Sequence, residues 1–154
     1  MSTDISRAAR PWLESVLARF GIPDSQRQDC IAGASVTLGD VDIVFLQPPY
    51  SESSHLVART VVGEVPPEGQ CEPFYKLVLE VQAMLCGPHS PVLGLDWPAR
   101  TLLVSCTLDM PHLSPDDAAE ILVSMRKMAL QWREAIAQTS TVPASRAPQA
   151  VAVG

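Results

Sequence analysis

Apolar residues open the chain at steps of three and four. Ile5, Ala9, Trp12, Val16 and Phe20 form one stripe, which Ala8, Leu13 and Leu17 widen. The spacing predicts a helix ending at Phe20, closed by Gly21 and stopped by Pro23. Pro11 deep inside a helix would lose a hydrogen bond and clash, so the regular part is expected to begin near Ala8 or to be kinked there. A period of two follows. Cys30, Ala32, Ala34, Val36 and Leu38 predict a strand over 30–38, with Gly39-Asp40 as a hairpin turn and Val41 to Leu46 as the return strand. After the polar stretch from Gln47 to His55, Leu56 to Val62 reads as a third strand, and Gly63 to Glu72 as a loop.

Pro73 to Cys86 reads as a second helix, with proline at its first position and Gly87-Pro88 at its end. Between Phe74 and Cys86 the only strongly polar residues are Lys76, Glu80 and Gln82. Leu77, Val78, Leu79, Val81, Ala83, Met84 and Leu85 point in almost every direction. A helix apolar nearly all round needs cover on more than one side. The chain's own sheet can supply one side, so the pattern predicts that a second copy supplies the other, making a homodimer.

Val92 to Asp96 and Thr101 to Leu108 predict a second hairpin around Trp97-Pro98-Ala99-Arg100. Ser114 is placed to cap a last helix, with Pro115 at its first position and Asp117 three residues after the serine. Asp116, Asp117 and Glu120 lie at its positive end, and Arg126, Lys127 and Arg133 further along. Ala118, Leu122, Met125, Ala129, Trp132 and Ile136 make one apolar stripe on a helix reaching about Gln138. From 139 to 154 no period remains and Arg146 is the one charge, so this segment is expected to be a disordered tail. The expected architecture is α+β: one domain over 1–138, in the order α-β-β-β-α-β-β-α, with an antiparallel sheet packed with helices.

Composition narrows the function. At 154 residues and 47% apolar, the chain is long enough for a core of its own. Eleven basic against 17 acidic residues give a net charge of −6, with no basic run, which argues against a nucleic-acid surface. Charged residues are 18%, below the usual ~25%, in keeping with some apolar surface covered by another chain. No uncharged apolar run reaches the ~18 residues of a membrane span. With Asp4 and Arg7 near the start and no apolar run after them, a cytoplasmic protein without a secretory leader is expected. Cys30, Cys71, Cys86 and Cys106 show no CxxC spacing and read as reduced thiols on apolar segments.

Catalytic chemistry finds little support. There is no phosphate loop, dinucleotide fingerprint or HExxH. Cys86 and His89 could give two zinc ligands, but a closed site takes four, so no metal or other cofactor is expected. Ser54-His55 and His112-Leu113-Ser114 place hydroxyls beside imidazoles without a nucleophile elbow. Asp40 and Asp42 read as turn and solvent face, and Asp116 and Asp117 as a helix start. Cys71 lacks a sequence-local activator. Met125, Met128, Trp12 and Trp132 read as core, whereas Trp97, at a hairpin turn, is placed to meet another surface.

Three short motifs in this order resemble the class I type III secretion chaperones, the Tir-chaperone family, over about residues 10 to 138. Leu17-Ala18-Arg19-Phe20-Gly21 is similar to the family's first-helix ending, Leu93-Gly94-Leu95-Asp96 to its entry into the second hairpin, and Ala129-Leu130-Gln131-Trp132-Arg133 to its last-helix signature. Cys86-Gly87-Pro88-His89-Ser90-Pro91 stands where the family commonly has Thr-Gly-Gly. The resemblance implies a cytosolic homodimer, without enzymatic activity, that keeps the N-terminal segment of a secreted effector non-globular until export. It implies a dimer interface on the second helix and the following strand, here Leu77, Val78, Val81, Leu85, Val92, Leu93 and Leu95. It implies a client surface on the first helix and first strands, for which Leu13, Val16, Phe20, Ile43 and Phe45 are candidates. A small α/β enzyme whose residues converge only in space, or a dimeric adaptor for a folded partner, are the alternatives.

Overall fold

The structure, a computed structural model, describes residues 5–49, 54–67, 69 and 71–141. Its elements run α1 (Arg10–Ala18), α2 (Asp24–Ile31), β1 (Val36–Leu38), β2 (Val41–Leu46), β3 (His55–Glu64), α3 (Cys71–Met84), β4 (Val92–Asp96), β5 (Thr101–Asp109) and α4 (Pro115–Thr141). The strands form one antiparallel sheet in the order β1-β2-β3-β5-β4, so β1 and β4 are its edges. Alternate residues of the long strands point to one face: Leu56, Ala58, Thr60 and Val62 of β3, and Leu102, Val104, Cys106 and Leu108 of β5, are buried. They share one apolar cluster with Leu13, Val16 and Leu17 of α1 and with Ala118, Leu122, Met125 and Ala129 of α4.

Local chemistry sets the ends of the helices. Pro11 is the second residue of α1, where its missing N–H has no intrahelical acceptor, and Ser6 to Ala9 form a separate turn. The helix tightens after Ala18, through Phe20 N–H to the Leu17 carbonyl at 3.1 Å, and Gly21 turns the chain at φ +68°. In α3, Pro73 is the third residue, still inside the first turn, so the helix begins and ends two residues earlier than its prolines and glycine suggest. At the start of α4, Ser114 Oγ accepts the Asp117 N–H at 3.1 Å and donates to Asp117 Oδ2 at 2.6 Å. The Thr139 hydroxyl donates to the Ala135 carbonyl at 2.8 Å, and the helix continues to Thr141. The expected tail begins at 139; its residues 142–154 lie outside the described residues.

The region from 24 to 38 differs from the predicted strand. Cys30 and Ile31 end α2, a helix absent from the expected order, and only Val36–Leu38 is extended. Helix α2 has no apolar stripe; Cys30 and Ile31 are its buried residues. Side-chain bonds, one of them to α1, hold it instead. Arg27 Nη2 meets Asp24 Oδ1 at 2.7 Å, Arg27 Nη1 donates to the Ile22 carbonyl at 2.7 Å, and Gln28 Nε2 donates to Glu14 Oε1 of α1 at 2.8 Å.

Between Val61 and Gly63 the β3–β5 register slips. Such a bulge breaks the ladder locally. Arg133 of α4 covers it: its guanidinium donates to the carbonyls of Val62 at 3.1 Å, Val61 at 3.3 Å and, across the β1–β2 turn, Asp40 at 2.6 Å. The same α4 is tied to α1 by Arg19 Nε on Asp116 Oδ1, while Trp12 Nε1 donates to the Leu113 carbonyl at 3.0 Å. Among the described residues, no helix is long and apolar enough to cross a membrane.

Candidate functional site

Helix α3 leaves much of its apolar surface uncovered. Phe74 and Val78 are its buried residues. Phe74 stacks edge-on against Trp132 of α4, and Gln82 Oε1 accepts the Leu93 N–H of β4 at 2.6 Å. Its other apolar residues face outward: Leu77 is 44% exposed, Leu79 68% and Met84 72%. Val92 and Leu95, on edge strand β4, are exposed as well. Cys71, Tyr75, Leu79 and Ala83, four residues apart, line an open apolar depression along α3 of about 770 Å³. On the other flank, Leu77 and Val81 face Met128 and Trp132 across a smaller hollow of about 240 Å³. Of the residues expected at an interface, Leu77, Val92 and Leu95 are thus open, Val81 and Leu85 are half-buried, and Val78 and Leu93 are buried within the chain.

A second surface lies at the opposite edge of the sheet. Phe20, at the end of α1, is half-buried and lines a recess of about 220 Å³ with Thr37 and Leu38 of β1 and Leu122, Val123 and Arg126 of α4. The Gly39-Asp40 turn makes Leu38 and Val41 opposite neighbours, and Thr37 faces Asp42. In such a hairpin, residues flanking the turn exchange hydrogen bonds and the next pair does not, so the Thr37 backbone N–H and carbonyl point away from β2. Strand β1 pairs with β2 alone among the described residues. The Thr37 hydroxyl is tied to Asp42 Oδ1 at 2.6 Å.

The other four candidates for the client surface, Leu13, Val16, Ile43 and Phe45, have no exposed area in the protomer. The α1 stripe and the inner face of β2 pack against each other's cluster, and a client could reach these side chains only by opening the core. Periodicity marks the apolar face of an element without distinguishing core from groove. Ile22, Thr37, Leu38, Leu122, Val123 and Arg126 were not singled out by pattern as binding residues. The available signal was Val123, an apolar residue off the buried stripe of α4.

Ser54, the three histidines and Cys71 have structural partners. Ser54 Oγ lies 2.8 Å from Nδ1 of His55, and His55 Nε2 is 3.6 Å from Asp109 Oδ1, too far for the hydrogen bond a proton relay needs. Asp109 Oδ2 instead meets His112 Nδ1 at 2.8 Å. His89, at φ +63°, donates from Nδ1 to the Thr107 carbonyl at 3.0 Å. Cys71 Sγ donates to the carbonyls of Pro66 and Pro67 at the start of α3. Burial pushes the Cys30 thiol up to about 11 and the Cys106 thiol to about 12, holding both protonated and unreactive. No group of three or more His, Cys, Asp and Glu residues that could hold a metal ion occurs among the described residues.

This arrangement of helices on a five-stranded antiparallel sheet is shared with several solved structures. A chain of the ExsC–ExsE complex superposes with a TM-score of 0.63 at 16% identity, covering 86% of this chain and 96% of that one. A chain of the ExoT–SpcS complex from Pseudomonas aeruginosa gives 0.57 at 15% identity, covering 82% and 97%. The type III secretion chaperone SycH of Yersinia pestis, in complex with a stable fragment of YscM2, gives 0.54 at 19% identity, covering 79% and 97%. The fold class is therefore that of these proteins. Residues 12–133 match the Tir chaperone protein (CesT) family, and the chain belongs to it. Among curated proteins, none matches the chain.

Proposed function

We propose that this chain is a cytoplasmic class I chaperone of a type III secretion system. It acts as a homodimer that binds the N-terminal segment of a cognate effector and keeps it extended and competent for export. The observation that carries this reading is the family match across residues 12–133. The two incompletely covered surfaces fit it. Leu77, Leu79 and Met84 of α3, with Val92 and Leu95 of β4, offer a face for a second copy. Burying such a face is the main driving force for association between identical chains. The recess beside β1 offers an apolar pocket next to a free strand edge, the two elements by which an extended segment is held through strand addition and side-chain pockets. The work is done by binding alone, without catalysis, metal or cofactor. A disordered apolar segment left free would aggregate, and covering it prevents that.

The test is to express the tagged chain in its native host, identify co-purifying proteins by mass spectrometry, and truncate them. The expected result is a secreted protein whose N-terminal segment alone binds and becomes protected from protease. A monomeric chain that turns over a small substrate and binds no such segment would overturn the proposal.

A further inference from the structure

The recess beside β1 contains a charge that the fold itself does not use. Arg19 is paired with Asp116, Arg27 with Asp24, and Arg133 with three carbonyls. Arg126 differs. Its guanidinium lies against Gly39, so close that a Cβ there would be 2.4 Å from Nη2. Its Nε, like that of Arg27, is shielded from water without a hydrogen-bond partner, but unlike Arg27 it has no ion pair among the described residues. The cation thus stands at the wall of a recess whose apolar lining includes Phe20, Leu38 and Val123. Thr37, whose backbone N–H and carbonyl point away from β2, lines the same recess.

A buried guanidinium donor without an acceptor is costly, and a carboxylate is the acceptor whose planar geometry it matches best. The strand edge calls for an extended segment. On such a segment, alternate residues share one face. We infer that this recess reads an acidic signal in the client: an extended segment adding to β1 at Thr37, with an aliphatic side chain in the recess and an Asp or Glu two positions away on Arg126. This rests on the chaperone reading above and specifies which segment the chaperone selects. The net charge of −6 makes the signal selective, since the rest of the surface disfavours an acidic client and Arg126 supplies the local exception.

The test uses the intact chain, isotope-labelled for NMR, and two synthetic peptides. Each is about ten residues, the upper end of strand length. Each alternates Val and Ser around a central Leu-Ser-Asp in one case and Leu-Ser-Asn in the other. The Asp peptide is expected to shift the Arg126 Nε–Hε resonance and to bind about tenfold more tightly, the ratio equivalent to ~1.4 kcal/mol. Arg126→Gln should remove that preference while leaving the melting temperature and the Asn-peptide affinity in place. Arg126→Lys should keep only part of the preference, because an ammonium cannot form the paired contact. Val123→Glu, three residues before Arg126 on α4, should supply a competing carboxylate and weaken the Asp peptide selectively. Equal binding of both peptides in the recess, or a preference that survives Arg126→Gln, would overturn the inference while leaving the chaperone reading intact. If neither peptide perturbs the resonances of Phe20, Thr37 and Val123, the recess is not a client site, and the inference falls together with that part of the reading.

Discussion

The rings of Phe74 and Trp132 meet edge to face, their centroids 5.9 Å apart and their planes at 83°. This contact joins α3 to α4, and with Val78 it is most of what α3 buries within its own chain. Aromatic pairs in this geometry contribute ~0.5–1.5 kcal/mol beyond their buried area. Trp132→Ala should cost about 3–5 kcal/mol, the usual cost of removing a large core aromatic. A double-mutant cycle with Phe74→Ala should return a coupling of ~1 kcal/mol, read from urea melts at fixed protein concentration.

Leu79 separates assembly from folding. At 68% exposed, it contributes little to the protomer core. Leu79→Asp should therefore change protomer stability by no more than about 0.5 kcal/mol, as surface changes do. Sedimentation velocity should show the wild type as a dimer at micromolar concentration and the variant as a folded monomer. A dimeric Leu79→Asp would place the interface elsewhere.

Gly39 and Arg126 form a coupled pair. Gly39 sits at φ +64°, and the Arg126 guanidinium fills the space a side chain would need. Gly39→Ala should cost ~1–2 kcal/mol from its left-handed backbone alone. Displacing Arg126 adds to that, so the same substitution in an Arg126→Ala background should cost less. Chemical denaturation of the four proteins measures the difference.

The buried thiols make alkaline stability pH-dependent. Burial raises Cys30 to about 11 and Cys106 to about 12. An unfolded thiol releases its proton near pH ~8.5. The native state then holds protons that the unfolded state has lost. These two groups thus leave stability unchanged below about pH 8.5 and lower it from there toward pH 11. Urea melts at several values across that window should show a shallower decline in a Cys30→Ala, Cys106→Ala double variant. Thiol labelling at pH 8 should modify Cys86, which is exposed, before either buried cysteine.

Residues 142–154 carry no apolar period and one charge, Arg146. Deleting them should leave the unfolding free energy within about 0.5 kcal/mol of the full chain. A marked fall in melting temperature would mean that the segment docks.

Much of this fold is legible in the order of residues because helix and strand impose different periods on whatever must be buried. The stripe from Ala118 to Trp132, the Gly39-Asp40 turn, the Ser114 cap and the two hairpins all follow from local rules of spacing and hydrogen bonding. So does the surplus of apolar residues on α3, of which this fold leaves Leu77, Leu79 and Met84 exposed. Helix α2 was not legible. Asp24 to Ile31 carries no stripe, and besides the local bond of Arg27 to the Ile22 carbonyl it is held by Gln28 reaching Glu14, a contact that exists only after the chain has turned back on α1 at Gly21. The same limit applies at the client surface. A sequence period cannot distinguish Phe20, which keeps an open face, from Leu13 and Val16, which have none, because that depends on where α4 crosses α1. Nor can it foresee that Arg126 comes to rest on Gly39, 87 residues away in the chain, beside a strand edge that β2 leaves unpaired. Periodicity determined which faces are apolar; only tertiary packing decided which of those faces remain open to a partner.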